Sequence, residues 1–295
     1  MGEILVFYVP PPTTAWFLEI AVIQHGAWSQ VLGAGCCKVQ TDVPTSFGRD
    51  SVFVIYSAAV ANFPFPFHDP SVRYIIANYE QAAADHTHTP FFIERLRRAV
   101  AVWEYSISNM DMWKARYGIQ ARFVPLGYHA DLQNLVRPPL GAQIYAPKVD
   151  VLFYGTQHPR RTALLDKLRA ARLTVKECSN VFGAHLWSLV PFVSVIVNIH
   201  FYQPSILELA RILPAVAAGK LVISERSDDA ILDRMYAPLV VFADSDSEFI
   251  QLCCRFCADR ELRELRVKQH TLALHTRFLQ TTVLCDFKDR VLRQE

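Results

Sequence analysis

The segment that decides the fold is Asn198-Ile-His-Phe-Tyr-Gln-Pro-Ser-Ile-Leu-Glu208-Leu-Ala-Arg211-Ile-Leu-Pro-Ala-Val-Ala-Ala-Gly219-Lys-Leu-Val-Ile-Ser-Glu225. The apolar run Val193 to Ile199, which leads into it, predicts a fully buried strand of a parallel sheet. Ser205 is a typical helix N-cap, Gly219 ends the helix, and Leu221 to Ile223 begins the next strand. The segment therefore predicts half of a βαβ layer.

The start of this helix is the first candidate site. In a parallel sheet, ligands bind beyond the carboxyl ends of the strands, where the following helix presents free N–H groups and a partial positive charge. Glu208 and Arg211 lie three residues apart and share a helix face, so a carboxylate can accept sugar hydroxyls while a guanidinium binds a diphosphate. The alternative is structural, because Ser205 and Glu208 also match a capping box with Arg211 as a surface ion-pair partner.

Six pieces of sequence, in order along the chain, resemble a known family. They are Tyr79-Glu80-Gln81, Val102 to Asn109, Val124 to His129, Asp150 to Thr156, Arg160-Arg161 and Val193 to Glu225. Together they resemble bacterial and viral-type glycosyltransferases of GT-B fold. In that family an acidic residue opens the donor-binding helix and a small-small-Gly run closes it, here Ala217-Ala218-Gly219. The resemblance covers about Tyr74 to Asp229.

The resemblance implies an α/β protein of GT-B type, with two Rossmann-like, doubly wound parallel-sheet domains facing a central cleft. A length of 295 residues and a hydrophobic fraction of 52% are sufficient for two such domains with real cores. The expected domains are an N-terminal acceptor-binding domain at 1–130, a linker at 131–148, a C-terminal nucleotide-sugar-binding domain at 149–273, and a helix at 274–295 that returns to the first domain. Pro138-Pro139, Gly141 and Pro147 place the linker.

Apolar runs and helical patterns alternate along the rest of the chain. Strands are expected at Ile4–Val9, Ser51–Tyr56, Val72–Asn78, Ala99–Tyr105, Ala121–Val124, Val149–Tyr154, Leu173–Lys176 and Leu239–Phe242. Helices are expected to end near Leu32 and Ala171, and to span Pro90–Arg98, Asn109–Tyr117, Ala184–Val190, Ser247–Ala258 and Glu261–Phe278. Neither GxGxxG nor GxxxxGK[ST] occurs, which excludes a Rossmann dehydrogenase and a P-loop NTPase.

The composition indicates which binding partners and which cellular location to expect. A net charge of +2 with both signs spread along the chain argues against nucleic acid as a partner. The N-terminal apolar run, Ile4 to Val9, is too short for a signal peptide or a membrane span, which predicts a soluble, cytoplasmic protein. Seven cysteines without framework spacing predict reduced thiols. Cys253-Cys254-x-x-Cys257 lies in a helical run without a second ligand pair, which favours a buried helix face over a zinc site.

As a member of that family, the chain would hold a nucleotide sugar, with UDP-sugar favoured, in its C-terminal domain. The expected donor-binding residues are Gly155, Thr156, Arg160, Arg161, Asn198, His200, Ser205, Glu208 and Arg211. Gly155 and Thr156 allow close backbone approach, and Arg160 or Arg161 can neutralise the leaving diphosphate, although a solvated helix start explains this arginine pair equally well. No Asp-x-Asp stands where it would hold Mg²⁺ or Mn²⁺, and helix caps explain Asp228-Asp229 and Asp244-x-Asp246. We therefore expect a metal-independent enzyme without cofactors.

Direct displacement by an acceptor hydroxyl needs a general base from the first domain. Glu80 is the first candidate because it directly follows a strand end, Asp85 and His86 are the neighbouring candidates, and His25 is a further one. A structural role for Tyr79-Glu80-Gln81 is an equal alternative, and a retaining enzyme needs no such base. Expected acceptor-binding residues are Tyr79, Phe65, Phe67 and His25. The two phenylalanines lie on a proline-rich loop, where exposed rings suit stacking on a sugar, although packing against the domain suits them equally.

The function that these observations favour is a hexosyl- or pentosyltransferase that moves a sugar from a nucleotide-diphosphate sugar to a glycan or other hydroxyl acceptor, with inversion and without a metal. One alternative is a non-catalytic two-domain protein that binds a small ligand. The other is a sugar-nucleotide epimerase of GT-B shape, which would release nucleotide without any acceptor.

Overall fold

The computed structural model describes residues 4–11, 13–56, 58–137 and 148–280. The chain divides into two compact units, one made of Met1–Asp131 with Leu279–Glu295 and the other of Leu132–Phe278. Each unit contains one parallel sheet flanked by helices. The predicted fold class, two Rossmann-like α/β sheets, is confirmed.

The first unit is built on six parallel strands. They are β1 (Ile4–Tyr8), β2 (Cys37–Gln40), β3 (Ser51–Ile55), β4 (Arg73–Asn78), β5 (Ala101–Glu104) and β6 (Arg122–Phe123), and the main helices are α1 (Thr14–Leu32), α2 (Pro90–Arg98) and α3 (Ile107–Tyr117). The sheet order is β2-β1-β3-β4-β5-β6. Because the order runs in opposite directions from β1 and β3, the sheet is doubly wound with its switch point between them.

The second unit is built on five parallel strands. In chain order its elements are α4 (Leu132–Val136), β7 (Val149–Tyr154), α5 (Pro159–Ala170), β8 (Val175–Cys178), α6 (Gly183–Leu189), β9 (Val193–Asn198), α7 (Leu209–Ala217), β10 (Leu221–Glu225), α8 (Ala230–Tyr236), β11 (Val241–Ala243), α9 (Asp246–Ala258) and α10 (Arg260–Arg277). The sheet order is β11-β10-β9-β7-β8, which places the switch point between β7 and β9.

Strand burial explains why these segments form sheets covered on both faces. Every residue of β9 is buried, as the uninterrupted apolar run predicts, and β10 is buried up to Glu225 at its end. Helix α9 lies against β7, β9 and β10, and its buried residues include Phe249, Cys253 and Phe256. The cysteines described by the structure are free thiols, and Cys253 lies on a buried helix face, as predicted.

Most predicted elements are present with ends shifted by a few residues. The edge strand β2 was not predicted. The predicted helix start at Ser205 is wrong, because α7 begins at Leu209. The backbone N–H and the hydroxyl of Ser205 both donate to Asp228 Oδ2, at 2.5 and 3.1 Å, so this side chain turns away from the helix instead of capping it.

The domain boundaries stay predictions. The two units meet in sequence at Asp131 and Leu132. Residues 138–147 of the predicted linker and residues 281–295 of the predicted C-terminal helix lie outside the described residues. Among the residues that are described, no helix is long and apolar enough to cross a membrane.

Candidate functional site

Charged side chains gather at the carboxyl edge of the second sheet. Strands β7, β9 and β10 end side by side at Tyr154, Asn198 and Glu225. Helix α5 follows β7, and α7 follows β9 after a loop. The cluster therefore lies at the switch point of a doubly wound sheet, where such sheets bind ligands.

Glu208, the residue before α7, is at the centre of this cluster. Its Oε2 accepts a hydrogen bond of 2.8 Å from Asn198 Nδ2 and lies 2.8 Å from Nδ1 of His200. Because a carboxylate only accepts, Nδ1 of His200 carries the hydrogen. The other oxygen, Oε1, is buried, makes no hydrogen bond within the described part of the chain, and lies 3.6 Å from Nη2 of Arg161. One carboxylate oxygen is thus left as an acceptor at the site.

Three arginines surround this carboxylate. Arg161 is 2% exposed, donates to the carbonyls of Ile199 and Thr156 at 2.8 and 2.7 Å, and lies over the rings of Phe153 and Phe201. Arg211 donates to Asn198 Oδ1 at 2.6 Å. Arg161 is therefore no solvated helix start, the alternative allowed for by the sequence.

Arg160 is the third arginine of the cluster, and its carboxylate partner is Glu225. It donates to Glu225 Oε2 at 2.9 Å, forms a second bond to Glu225 Oε1, and donates to the carbonyl of His200 at 3.1 Å. Glu225 also accepts from the backbone N–H of His200 at 2.8 Å. Glu225 was not among the predicted site residues, although its place at the end of β10 could have revealed it.

Electrostatics keep this cluster charged. Burial alone would raise the pKa of Glu208, but the charge and hydrogen bond of His200, followed by Arg211 and Asn198, hold it at about 2. Burial lowers the pKa of His200, yet Glu208 outweighs it and the net shift is upward. Burial, followed by repulsion from Arg211, lowers the pKa of Arg161 to about 10. An anion next to these arginines would relieve that crowding.

Of the other expected donor residues, some contact the arginines of the cluster and one does not. Gly155 has φ of +144°, and a Cβ built there would lie 2.7 Å from Nη2 of Arg211, so glycine allows this guanidinium to approach the end of β7. Thr156 contributes its carbonyl to Arg161. Ser205 contacts Asp228 instead of the cluster's charged groups. A donor contact from Ser205 stays a prediction, without the helix cap that motivated it.

In the first unit, Glu80 follows β4 and forms a pair with His86. Nε2 of His86 lies 3.2 Å from Glu80 Oε2, and both side chains are accessible to solvent. The hydrogen bond that His86 donates to Glu80 raises the pKa of the imidazole, against the lowering effect of burial. Asp85 is exposed and begins a short 3₁₀ turn that also holds His86. The three expected catalytic side chains therefore lie on one loop.

Two of the expected acceptor residues, Tyr79 and His25, lie in the same unit. The ring of Tyr79 stacks between Tyr56 and Tyr105, with centroids 6.1 and 5.4 Å away, and its hydroxyl accepts from Gln24 Nε2 at 3.1 Å. Burial raises the pKa of this hydroxyl. His25 lies one residue further along α1, where it contacts the ring of Phe7. Their contact with an acceptor stays a prediction.

The predicted exposure of Phe65 and Phe67 is wrong. Both rings are buried, at 9% and 2% exposure, in the core cluster of the first unit. They pack against Tyr74, and the guanidinium of Arg95 lies 4.2 Å from the ring centre of Phe67. The proline-rich loop thus turns its aromatic side chains inward, since burying such large apolar rings outweighs the cost of folding the loop back. Neither ring is available for stacking on a sugar.

Within the part of the chain that the structure describes, no group of three or more His, Cys, Asp or Glu side chains is arranged to hold a metal ion.

No protein-family model and no curated protein sequence matches the chain. Solved structures do match its fold. HepE from Anabaena, solved with UDP and glucose, aligns with a TM-score of 0.64 at 11% identity, over 98% of this chain and 99% of that one. An alpha-glucosyltransferase solved with UDP-glucose and DNA containing an abasic site aligns at 0.61 and 9%, over 99% and 100%.

A third match is a sucrose-phosphate synthase from Thermosynechococcus elongatus, with a TM-score of 0.59 and 10% identity over 98% of each chain. These identities are low, so the likeness is one of fold. The chain has the two Rossmann-like sheets of GT-B glycosyltransferases, the family that its sequence resembles.

Proposed function

We propose that this chain is a glycosyltransferase that transfers a sugar from a nucleotide-diphosphate sugar, with UDP-sugar favoured, to a hydroxyl of a carbohydrate acceptor. The observation that carries the proposal is the cluster around Glu208 at the switch point of the second sheet. A buried carboxylate oxygen without a hydrogen-bond partner in the described residues stands next to cationic side chains. The hydroxyl groups of a nucleotide-sugar donor can donate to this oxygen, and its diphosphate can bind the cationic side chains.

The charge balance of the cluster supports a diphosphate ligand. Among the described residues, Glu208 and Glu225 are the carboxylates in contact with Arg160 and Arg161, and Asp246 adds a further electrostatic contribution at Arg160. Negative charge grows on the leaving diphosphate in the transition state, and fixed guanidinium groups stabilise it without reorganising. We propose that these arginines do this in place of a metal ion, so that transfer is metal-independent.

Glu80 is the general base in this proposal, and the transfer inverts the anomeric configuration. Its carboxylate is partly exposed, directly follows β4, and accepts a hydrogen bond from His86, which can share a proton taken from the acceptor. Glu80→Gln keeps the shape but cannot take the proton, so we expect kcat to fall by roughly 10²- to 10⁴-fold with unchanged donor affinity. Asp85→Asn and His86→Ala are the paired controls. A product that keeps the donor's configuration would exclude this base.

The acceptor and the location complete the proposal. The charge distribution favours a carbohydrate acceptor over nucleic acid, and a panel of glycans with single-stranded and duplex DNA as further acceptors checks this directly. The cytoplasmic location predicted from the sequence is part of the proposal, and cell fractionation tests it.

Donor binding is the decisive experiment. Calorimetry with UDP, GDP, ADP and TDP should find at least one ligand, and Glu208→Ala should weaken it roughly 10- to 150-fold, since charge-assisted hydrogen bonds contribute about 1.5 to 3 kcal/mol. Glu264→Ala, on the exposed face of α10, is the matched control. If no diphosphate nucleotide binds, or if both variants bind alike, the site is not the donor site.

The two alternative functions separate in a turnover assay. A binding protein leaves the UDP-sugar intact with every acceptor. An epimerase of GT-B shape releases the nucleotide without an acceptor, whereas a transferase releases it in step with product.

A further inference from the structure

Glu104, at the end of β5, is a buried carboxylate that the proposed reaction does not use. It is 1% exposed. Four groups donate hydrogen bonds to it. Its Oε2 accepts from Asn78 Nδ2 at 2.7 Å and from Trp113 Nε1 at 3.0 Å. Its Oε1 accepts from the backbone N–H of Tyr105 and from Asn109 Nδ2, both at 3.0 Å. Both oxygens are therefore satisfied, and all four partners are neutral donors.

Two of these donors continue to the loop of the proposed base. Asn78 and Asn109 each use Nδ2 a second time, donating to the backbone carbonyl of Glu80 at 3.0 Å in both cases. The carbonyl oxygen of the Asn109 side chain accepts from the backbone N–H of Ala82 at 2.9 Å, and that of Asn78 accepts from the N–H of Glu80 at 3.3 Å. The backbone is thus fixed on both sides of Gln81.

The orientation of the two amides depends on Glu104. A side-chain amide has two N–H groups, and in each asparagine one of them points to Glu104 while the other points to Glu80. A flipped amide would turn its oxygen towards the carboxylate and the Glu80 carbonyl, which are both acceptors. An acceptor at position 104 therefore acts together with the Glu80 carbonyl and the N–H groups of Glu80 and Ala82 to hold both amides with their nitrogens towards Glu80.

We propose that Glu104 is a positioning residue, which acts through Asn78 and Asn109 to hold Glu80 in the place from which it takes the acceptor proton. This inference rests on the role proposed above for Glu80. It explains why two pieces of sequence far apart in the chain, Tyr79-Glu80-Gln81 and the stretch Val102 to Asn109, belong to one structural device.

A general contribution to core stability is the competing explanation, and Trp113 distinguishes the two. Its indole N–H bonds Glu104, but no hydrogen bond joins Trp113 to the Glu80 loop among the described residues. Trp113→Phe therefore removes one of the four bonds and destabilises a fully buried position while leaving both amides in place. Glu104→Gln presents an N–H to two of the four donors, one of which is an asparagine amide in either orientation, and so disturbs that amide directly.

The first measurement does not depend on turnover. His86 reports where Glu80 lies, because the hydrogen bond between them raises the pKa of the imidazole, with Asp85 adding a smaller contribution and burial opposing it. An NMR titration of His86 in Glu80→Gln gives the pKa of the imidazole without the charge of that carboxylate. We expect Glu104→Gln to move the pKa of His86 down by at least half of the difference between wild type and Glu80→Gln. Trp113→Phe should leave it at the wild-type value.

Activity provides the second measurement. We expect Glu104→Gln to lower kcat at least tenfold with an unchanged KM for the donor, and Trp113→Phe to keep both constants within twofold at a temperature where each variant is folded. If Glu104→Gln does not fold, Asn109→Ala takes its place, because alanine suits the first turn of α3 while both N–H groups are lost.

The outcomes distinguish the positioning role of Glu104 from the role of Glu80 as the general base. A His86 titration in Glu104→Gln that matches wild type overturns the positioning role, and so does an equal loss of kcat in Trp113→Phe. The His86 titration can shift in Glu104→Gln while Glu80→Gln turns over normally. That result would retain the structural link between Glu104 and the Glu80 loop. It would refute Glu80 as the general base, and with it the role of Glu104 in positioning a base.

Discussion

Replacing Gly155 with alanine tests whether the position of Arg211 controls donor binding. The backbone at Gly155 has φ of +144°, which L residues rarely adopt, and the new Cβ would lie 2.7 Å from Nη2 and 3.3 Å from Cζ of Arg211. To reach ordinary van der Waals contact at 3.4 Å, the guanidinium must move by about 0.7 Å. The substitution therefore acts on the site through a displaced cation.

The magnitude follows from the contact that this displacement breaks. Arg211 donates to Asn198 Oδ1 at 2.6 Å, and a shift of that size takes the pair to the edge of hydrogen-bond distance. Weakening such a charge-assisted bond, and moving the cation away from a bound diphosphate, costs about 1.5 to 3 kcal/mol. We expect UDP affinity to fall roughly 10- to 100-fold. Backbone strain lowers the free energy of unfolding separately, by about 1 to 3 kcal/mol.

Calorimetry with UDP and urea denaturation measure the two effects independently. The matched control is Gly183→Ala, where φ is +54° and no atom lies within 4 Å of the new Cβ, so it introduces strain without touching the cluster. Gly183→Ala should lose stability and keep its UDP affinity. If Gly155→Ala also keeps its affinity while losing as much stability as the control, then the position of Arg211 does not govern donor binding.

Three further predictions concern pH and metal ions. The pKa of Glu208 is about 2 in the folded chain, so its contribution of up to about 3 kcal/mol to the free energy of unfolding is present above pH 4.5 and is lost as the pH falls towards 2. Glu208→Gln should remove this pH dependence, as measured by urea denaturation. Burial raises the pKa of Glu104 to about 7 against the effect of its four donors, so the folded state holds a proton that the unfolded state releases. Stability should therefore fall by up to about 3 kcal/mol between pH 4.5 and 7, and Glu104→Gln should remove that slope. EDTA should leave transfer unchanged within twofold, whereas loss of activity that Mn²⁺ restores would show that a metal ion does the work assigned to Arg160 and its neighbours.

The fold was largely predictable because its pattern is local. Buried parallel strands appear as uninterrupted apolar runs, and β9 and β10 were located from Val193 to Ile199 and Leu221 to Ile223. The start of α7 was not predictable in this way. Ser205 has the residue type of an N-cap, but its N–H and hydroxyl are bound by Asp228, which comes 23 positions later in the chain. Tertiary contacts of this kind override a capping preference.

The candidate site was predictable where it lies at strand ends and unpredictable where it depends on pairing. Gly155, Asn198 and Glu208 could be located because the carboxyl edge of a parallel sheet is known once its strands are. That Arg161 is buried and that Glu225 binds Arg160 depends on side-chain directions that no spacing reveals. The same limit explains the error at Phe67, since a proline-rich loop shows where regular structure stops but not which way its rings point.

Glu208 and Glu104, at the carboxyl edges of their sheets, show how neighbours decide what a carboxylate can do. Glu208 has arginines and an imidazole with a raised pKa around it, and its own pKa is about 2, so it is an acceptor at any physiological pH. Glu104 has only neutral donors around it, and its pKa is about 7. A protonated Glu104 has a hydrogen to donate but meets four donors, so protonation must break at least one of the four bonds, two of which come from the amides that hold Glu80. Acidification below pH 7 should consequently weaken the network that holds the Glu80 loop while leaving the cluster around Glu208 charged and able to bind its ligand.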